Sequence, residues 1–267
     1  MDAPDEQPSK TASAGSELKS HGMELVKSWG PMLLGLLLVR SMVFEPFRIP
    51  SGSMVPTLEI GDHIVITKSS YGFRWPLTRI PMTTLQVPAR GDIVVFVYPG
   101  SDTGDLQWID LPVPPFGTYD YVKRVVGLPG ERVEVRDNVV HINGVAQQRS
   151  YVDQFTFVDD GCSTSETKRF VEDLGGVKHD VLQEPFFGKQ MGDFGPTVVP
   201  EGHVFVMGDN RDHSADSRVW GFVPLKNIKG KAQFVWMSLQ GCEERDGELR
   251  PRALGVPRWD RAGVDLN

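Results

Sequence analysis

The sequence predicts a mostly β body of short antiparallel strands, preceded by one N-terminal membrane-spanning helix. Three observations carry this expectation. Short alternating runs rich in β-branched residues recur from His63 onward, turn signals separate them, and the one membrane-sized apolar stretch lies near the N-terminus. Little of the body shows a helical period, so strands should supply its core.

Residues 1–20 are polar and read as a flexible tail, within a polar, cytoplasmic segment expected at 1–28. Residues 29–47 turn apolar around Met32-Leu33-Leu34-Gly35-Leu36-Leu37-Leu38-Val39, which is marginal for a span needing about 20 residues. Arg40 and Glu45 interrupt this stretch. An arginine at mid-membrane costs roughly 2.5–3.5 kcal/mol, whereas one near the end reaches the interface along its own aliphatic stem. A cleaved signal peptide and a buried core helix are the alternatives. No small-residue cleavage site follows, which favours an uncleaved anchor. Lys19 and Lys27 before the stretch balance Arg40 and Arg48 after it, so positive charge barely decides orientation.

Runs at residues 63–66, 92–97, 121–126, 132–135, 203–206 and 232–236 read as strands. Asp137-Asn138 and Asn143-Gly144 read as hairpin turns on either side of Val139-Val140-His141-Ile142. Pro112, Pro114 and Pro115 mark a stiff loop. Residues 145–200 are less regular and read as an inserted subdomain between core strands at 48–144 and 201–240. Residues 241–267 read as a C-terminal tail.

Composition narrows the function. The 267 residues are 40% hydrophobic and 24% charged, which suits one or two globular domains. A net charge of −7 argues against nucleic acid as a partner. The two cysteines, Cys162 and Cys242, form no CxxC pair, so zinc or iron–sulfur chemistry is not expected. A disulfide between them is possible in an oxidising compartment, but their spacing cannot show that they meet.

Three segments could carry chemistry. In Ile49-Pro50-Ser51-Gly52-Ser53-Met54, prolines at 50 and 56 stiffen a loop that presents a hydroxyl, although such triplets are usually plain turns. A serine needs a base to become a nucleophile. Lys123, in Tyr121-Val122-Lys123-Arg124, is either a surface lysine on an edge strand or a buried one sharing a face with Tyr121 and Val125. Lowering its pKa from about 10.4 to around 8 asks for roughly 3 kcal/mol of desolvation. The third segment, residues 208–218, is a polar loop after an apolar run. It is either a solvated turn or a platform that orients a neighbouring site, with Ser214 near the amine and Asp216 paired to Arg218. His213 keeps open a Ser–His–Asp arrangement with Ser53.

Together these segments resemble bacterial type I signal peptidases (leader peptidases), a Ser–Lys protease family. The stretches 44–58, 61–62, 91–96, 120–130 and 208–218 match the family's boxes in order across most of residues 40–238. The resemblance implies an antiparallel β catalytic body of the signal peptidase type with an inserted subdomain and one N-terminal transmembrane helix. It implies Ser53 as nucleophile and Lys123 as general base. The Ser53 backbone N–H and the Ser51 hydroxyl would form the oxyanion hole. Ser214 would orient Lys123, Asp216 and Arg218 would hold the site by a salt bridge, and Gly208 would permit close packing. Tyr121 and Arg124 would flank the lysine. Phe47, Ile49, Met54 and Val122 would line shallow pockets for the small residues of an Ala-X-Ala site.

The family implies no cofactor and no metal, and it does without histidine. Its partners would be secreted preproteins, the phospholipid bilayer and the export machinery. The expected location is the bacterial inner membrane, single-pass, with the N-terminus cytoplasmic and the body outside. Family bodies touch the membrane surface. Here Phe73-Arg74-Trp75-Pro76-Leu77 is either that contact, as aromatic residues favour the interface, or a hairpin tip with a buried tryptophan. The family's disulfide lies within the insertion, so no bridge to Cys242 is carried over. The rivals are a dedicated Ser–Lys processing protease of a conjugation or pilus system, a self-cleaving repressor-like protease, and an inactive signal-peptide-binding scaffold.

Overall fold

The computed structural model describes residues 10–100, 119–159, 161–184, 193–246 and 248–266. The expected stiff loop at Pro112, Pro114 and Pro115 lies outside them. The chain divides into residues 1–41 and 42–267. The first unit is nearly all of one helix, α1 (Lys10–Met42), which contains a stretch, Met23–Met42, long and apolar enough to cross a membrane. The helix therefore begins inside the stretch expected to be a flexible tail, and it ends before residue 47. Phe44–Arg48 form strand β1 instead. Glu45, which made the anchor look interrupted, is buried on that strand and pairs with Lys68 at 3.0 Å.

Among the described residues, the rest of the chain is mostly antiparallel β. The strands are β2 (Asp62–Thr67), β3 (Ile93–Val97), β4 (Asp120–Gly127), β5 (Arg132–Arg136), β6 (Val139–Ile142), β7 (Val145–Ala146), β8 (Gln148–Val158) and β9 (Thr164–Leu174). After them come β10 (Val177–Gln183), β11 (Phe194–Val198), β12 (His203–Met207), a one-turn helix α2 (Ser217–Trp220), β13 (Val223–Pro224), β14 (Ile228–Arg245) and β15 (Glu248–Pro257). The main sheet runs β1-β2-β14-β3-β4-β12-β13, with β15 paired to β14.

β3 shows why a continuous apolar run forms a strand here. All five of its residues are buried, because the sheet is covered on both faces. Ile93 and Val95 enter a cluster with Ile49, Met54, Leu58, Ile64 and Ile66. Val94 and Phe96 enter another with Val125, Val204 and Val206. The β5–β6 hairpin turns through Asp137 and Asn138, both at positive φ, as the Asp-Asn pair implied.

Two regions differ from the sequence reading. Residues 145–200 are more regular than expected. β8, β9 and β10 form their own three-stranded sheet, and β11 joins β5 in another. Their polar composition obscured the pattern, because an exposed ribbon keeps one face in water and alternates charged with partly buried positions. Residues 241–267 are no loose tail. They complete the β14–β15 hairpin and return to the body, where Leu266 is buried in the same cluster as Met54 and Leu58. Arg261 Nη2 donates to the Thr57 carbonyl at 3.1 Å and to Asp62 Oδ2 at 2.6 Å, and Arg258 Nη2 donates to the Ile60 carbonyl at 2.8 Å. Asp62 is fully buried and also accepts from Ser238 Oγ at 2.6 Å.

The two cysteines do meet. Cys162, in the turn after β8, and Cys242, on β14, form a disulfide with Cα atoms 5.7 Å apart. The regular β8–β9 ribbon and the extension of β14 bring them together, and neither was visible in the residue spacing. The segment at Trp75 is a turn closed by the Arg74–Pro81 bridge, and Trp75 is exposed beside Phe73 rather than buried.

Removing one partner of a buried ion pair leaves the other charge uncompensated. Arg261→Ala should therefore lower unfolding free energy by about 3 kcal/mol in denaturant titration of the solubilised protein, and Arg261→Lys should restore less than half of that.

Candidate active site

Ser53 lies in a single helical turn, Gly52–Met54, between β1 and β2. The turn cannot continue as a helix, because Val55 is extended and Pro56 follows it. Its neighbours anchor it: Met54 and Val55 are buried, and the Leu58 N–H donates to the Met54 carbonyl at 2.9 Å. The base of the loop is closed by Ile49 N–H to the Asp62 carbonyl at 2.8 Å and Gly61 N–H to the Ile49 carbonyl at 3.0 Å.

Lys123 reaches this turn from β4, where it sits opposite Val94 of β3. Its side chain is buried, with 2% of the residue exposed, and its Nζ lies 2.6 Å from Ser53 Oγ and 3.0 Å from the Val122 carbonyl. Of the two placements open from sequence, the structure takes the buried one. Tyr121 shares the face, its ring centroid 5.7 Å from Nζ. Burial pulls the amine down from its usual 10.5 to about 8, against the opposing pull of the Asp216 and Asp209 carboxylates.

The 208–218 segment follows β12 and is a rigid platform. The Asn210 backbone N–H donates to the Ser53 carbonyl at 3.1 Å, and Asn210 Nδ2 donates to the Gly52 carbonyl at 3.0 Å. Gly208 is required by space: a Cβ there would stand 2.3 Å from Ser214 Oγ and 2.4 Å from the Ser53 carbonyl oxygen. Its N–H donates to Asp216 Oδ2 at 3.0 Å. Arg218 clamps the same carboxylate with two bonds of 2.8 Å. Burial raises the Asp216 carboxyl, but Arg218 and the Gly208 N–H outweigh it and hold the group below the usual carboxylate range. Ser214 is buried against Gly208, and its hydroxyl makes no hydrogen bond to Lys123.

A second set of buried charges lies behind the lysine. Arg124 forks onto Asp209 at 2.8 and 2.7 Å, and Thr57 Oγ1 donates to that carboxylate at 2.6 Å. Arg211 pairs with the buried Glu172 of β9, and His179 of β10 stands 3.5 Å from Glu172 and 3.9 Å from Asp209. Burial lowers His179 to about 4, so it is neutral near pH 7. The sequence marks Asp209 and Asn210 only as members of the 208–218 loop, with no role of their own, and Asn138 only as a turn residue, although its Oδ1 also accepts from Arg218 Nη1 at 3.5 Å. Glu172 escaped the sequence reading, because nothing in the residues marks its ribbon as reaching this site.

The remaining expected residues sort cleanly. Phe47, Ile49, Met54 and Val122 belong to one apolar cluster beside Ser53. Ser51 is exposed at the start of the turn. His213 pairs with Glu184 rather than with Ser53. Among the described residues, no group of three or more His, Cys, Asp or Glu could hold a metal ion.

A family model described as "Signal peptidase, peptidase S26" matches residues 22–237. The chain is 37% identical to a signal peptidase I of Pseudomonas fluorescens, over 91% of this chain and 78% of that protein. It is 36% identical to a signal peptidase I of Pseudomonas aeruginosa, over 91% and 78%, and 36% identical to one of Haemophilus influenzae, over 83% and 71%. The antiparallel body with its buried serine and lysine is that of a serine protease. More closely, the chain belongs to the signal peptidase family, peptidase S26, whose reaction is the hydrolytic removal of signal peptides.

Gly208→Ala forces Ser53 and Ser214 away from their contact with residue 208. Because displacements of about 1 Å cost up to roughly 10²-fold in rate, kcat for signal-peptide cleavage should fall by about that factor. Far-UV circular dichroism should remain that of the parent.

Proposed function

We propose that this protein is a membrane-bound type I signal peptidase that cuts exported preproteins after Ala-X-Ala with a Ser53–Lys123 dyad. The observation that carries the reading is the 2.6 Å approach of Lys123 Nζ to Ser53 Oγ, with the amine buried and lowered to about 8. At that value about one amine in ten is neutral at pH 7, ready to accept a proton. Ser53 Oγ attacks the scissile carbonyl carbon as its proton passes to Lys123, and the carbonyl electron pair moves to oxygen. The Ser53 N–H and the Ser51 hydroxyl receive that oxyanion. Collapse expels the amine of the mature protein, which takes its proton from Lys123. Water, deprotonated by the neutral lysine, then hydrolyses the acyl-enzyme.

The platform keeps this pair in place. Gly208, Asp216 and Arg218 hold the floor beneath Ser53, and Ser214, packed against Gly208, would help to orient the amine. Among the described residues, two strand edges are free for an extended substrate: β12 pairs with β4 from Arg124 to Gly127, leaving 120–123 unpaired on that side, and β1 pairs with β2 alone. A peptide lying there would form main-chain hydrogen bonds. Phe47, Ile49, Met54 and Val122 would admit small side chains and exclude large ones. The closed Ser53–Lys123 contact supports an active enzyme over a scaffold.

α1 supports a single-pass anchor, and in this reading the N-terminus is cytoplasmic and the body lies outside the inner membrane. The disulfide agrees with an oxidising compartment. The exposed Phe73 and Trp75 would rest at the lipid surface, close to where signal peptides and the export machinery deliver substrate.

Cleavage of a purified preprotein by detergent-solubilised enzyme tests the reading. Ser53→Ala and Lys123→Ala should abolish cutting, and Lys123→Arg should too, since a guanidinium holds its proton. Measurable turnover by pure, folded Lys123→Ala protein would remove the dyad. His213→Ala should retain most activity. The base must be neutral, and protonation below its pKa removes it. The kcat/KM should therefore rise about tenfold per pH unit on the acid side and level off above about pH 8, checked by initial rates in constant ionic strength.

A further inference from the structure

The inserted sheet meets the serine turn through a small apolar cluster of its own. Phe157, Leu182 and Val55 are buried together, with Phe155 packed against them. The Phe157 ring lies over Gly52, the residue before Ser53: a Cβ on Gly52 would stand 3.5 Å from Phe157 Cε2. The ring also meets His213 edge to face, centroids 5.3 Å apart, one residue before Ser214. On its other side, Leu182 donates its N–H to the Asp209 carbonyl at 2.8 Å and bridges to Asn210. Asn210 in turn grips the Gly52 and Ser53 carbonyls. Phe157 therefore touches both loops that bring Ser53 and Ser214 together.

The ring has no polar atom and acts only by its volume. Its own placement depends on the hairpin that carries it. Phe157 pairs with Ser165 and Val158 with Thr164. Beyond them the turn is tied by Ser163 N–H to Asp159 Oδ1 at 2.8 Å and by Cys162 N–H to the Asp159 carbonyl at 3.1 Å. Cys162 is bonded to Cys242 of β14. Further back on β14, Met237 and Ser238 pair with His63 and Asp62, where the serine loop ends. A closed circuit thus runs from the serine loop through β2, β14, the disulfide and Phe157 back to Gly52.

We propose that Phe157 is a positioning residue for Ser53, held on the serine turn by the Cys162–Cys242 disulfide. This rests on the reading of Ser53 as nucleophile. Without the ring, the tightest apolar contact over Gly52 is lost, leaving only Ile60 and Val55, each 3.7 Å from where a Cβ would stand, and the turn gains room to move away from Lys123. The substrate pockets belong to a different cluster, around Phe47 and Val122, so substrate binding should be spared.

The test is preprotein cleavage by the solubilised full chain, comparing wild type, Phe157→Ala, Phe157→Leu, Cys162→Ser/Cys242→Ser and the combined triple variant. Phe157→Ala should lower kcat by about 10- to 100-fold with KM within about twofold, and Phe157→Leu should recover most of the loss. The double cysteine variant should lower kcat about threefold or more, and in the Phe157→Ala background it should cost nothing further, because both changes release one contact. A wild-type kcat in Phe157→Ala, losses that multiply in the triple variant, or a Leu replacement no better than Ala would each overturn the proposal. Should Phe157→Ala fail to fold, Phe157→Leu with and without the disulfide carries the same comparison. A Ser53→Ala control separates the two failures. Residual cleavage there removes the nucleophile itself, whereas an inactive Ser53→Ala beside a fully active Phe157→Ala removes only the role of the ring.

Discussion

An amine gives up its proton readily near neutral pH only where water is kept from it, and the walls around Lys123 meet that requirement. Lys123 is sealed between the serine turn, β3 and the 208–218 platform. Desolvation, not a neighbouring cation, is the largest influence on it. Dryness has a cost. Every polar group that closes the site must find its partner inside the protein, or the burial that lowers the lysine would destabilise the fold.

That requirement explains the density of ion pairs behind the site. Asp216 with Arg218, Asp209 with Arg124 and Glu172 with Arg211 are all buried, and each carboxylate accepts at least two hydrogen bonds. The arginines satisfy backbone carbonyls as well, Arg124 at Gly91 and Arg218 at Ser214. Glycine has a matching role where side chains would not fit. Gly208 lets the platform approach the Ser53 carbonyl at a distance no other residue allows. The site is thus assembled by close approach of backbone and by charge pairing, and the apolar clusters around it supply the dry walls.

Much of this was legible in the residues. The strands at 63–66, 92–97 and 121–126 followed from apolar runs and turn signals, and the hairpin around 139–142 followed from Asp-Asn and Asn-Gly. Ordered motifs pointed to Ser53 and Lys123, whose side chains stand 2.6 Å apart, and strand alternation grouped Lys123 with Tyr121 and Val125 without deciding its burial. Three things were hidden for physical reasons. The end of the helix at Met42 was masked because β1 continues with apolar residues, and the salt bridge of Glu45 to Lys68 depends on a strand pairing far along the chain. The inserted ribbons carry polar residues on a solvated face, so their alternation is weak. The C-terminal segment is fastened by Arg258 and Arg261 to carboxylates at 59 and 62, contacts between residues distant in sequence that no local pattern reveals.

The buried pairs also bear on how such a sequence can drift. Losing one member of a buried pair typically costs about 3–5 kcal/mol, whereas exchanging both for well-packed apolar residues is close to neutral. Arg124 and Asp209, or Arg211 and Glu172, can therefore leave the lineage together but scarcely one at a time. Because Asp209 also serves Thr57 and sits beside His179, an exchange there must be compensated at several positions in the same step. Divergence among descendants of this chain should accumulate on the outer ribbons and the exposed strand faces first, and reach this interior last.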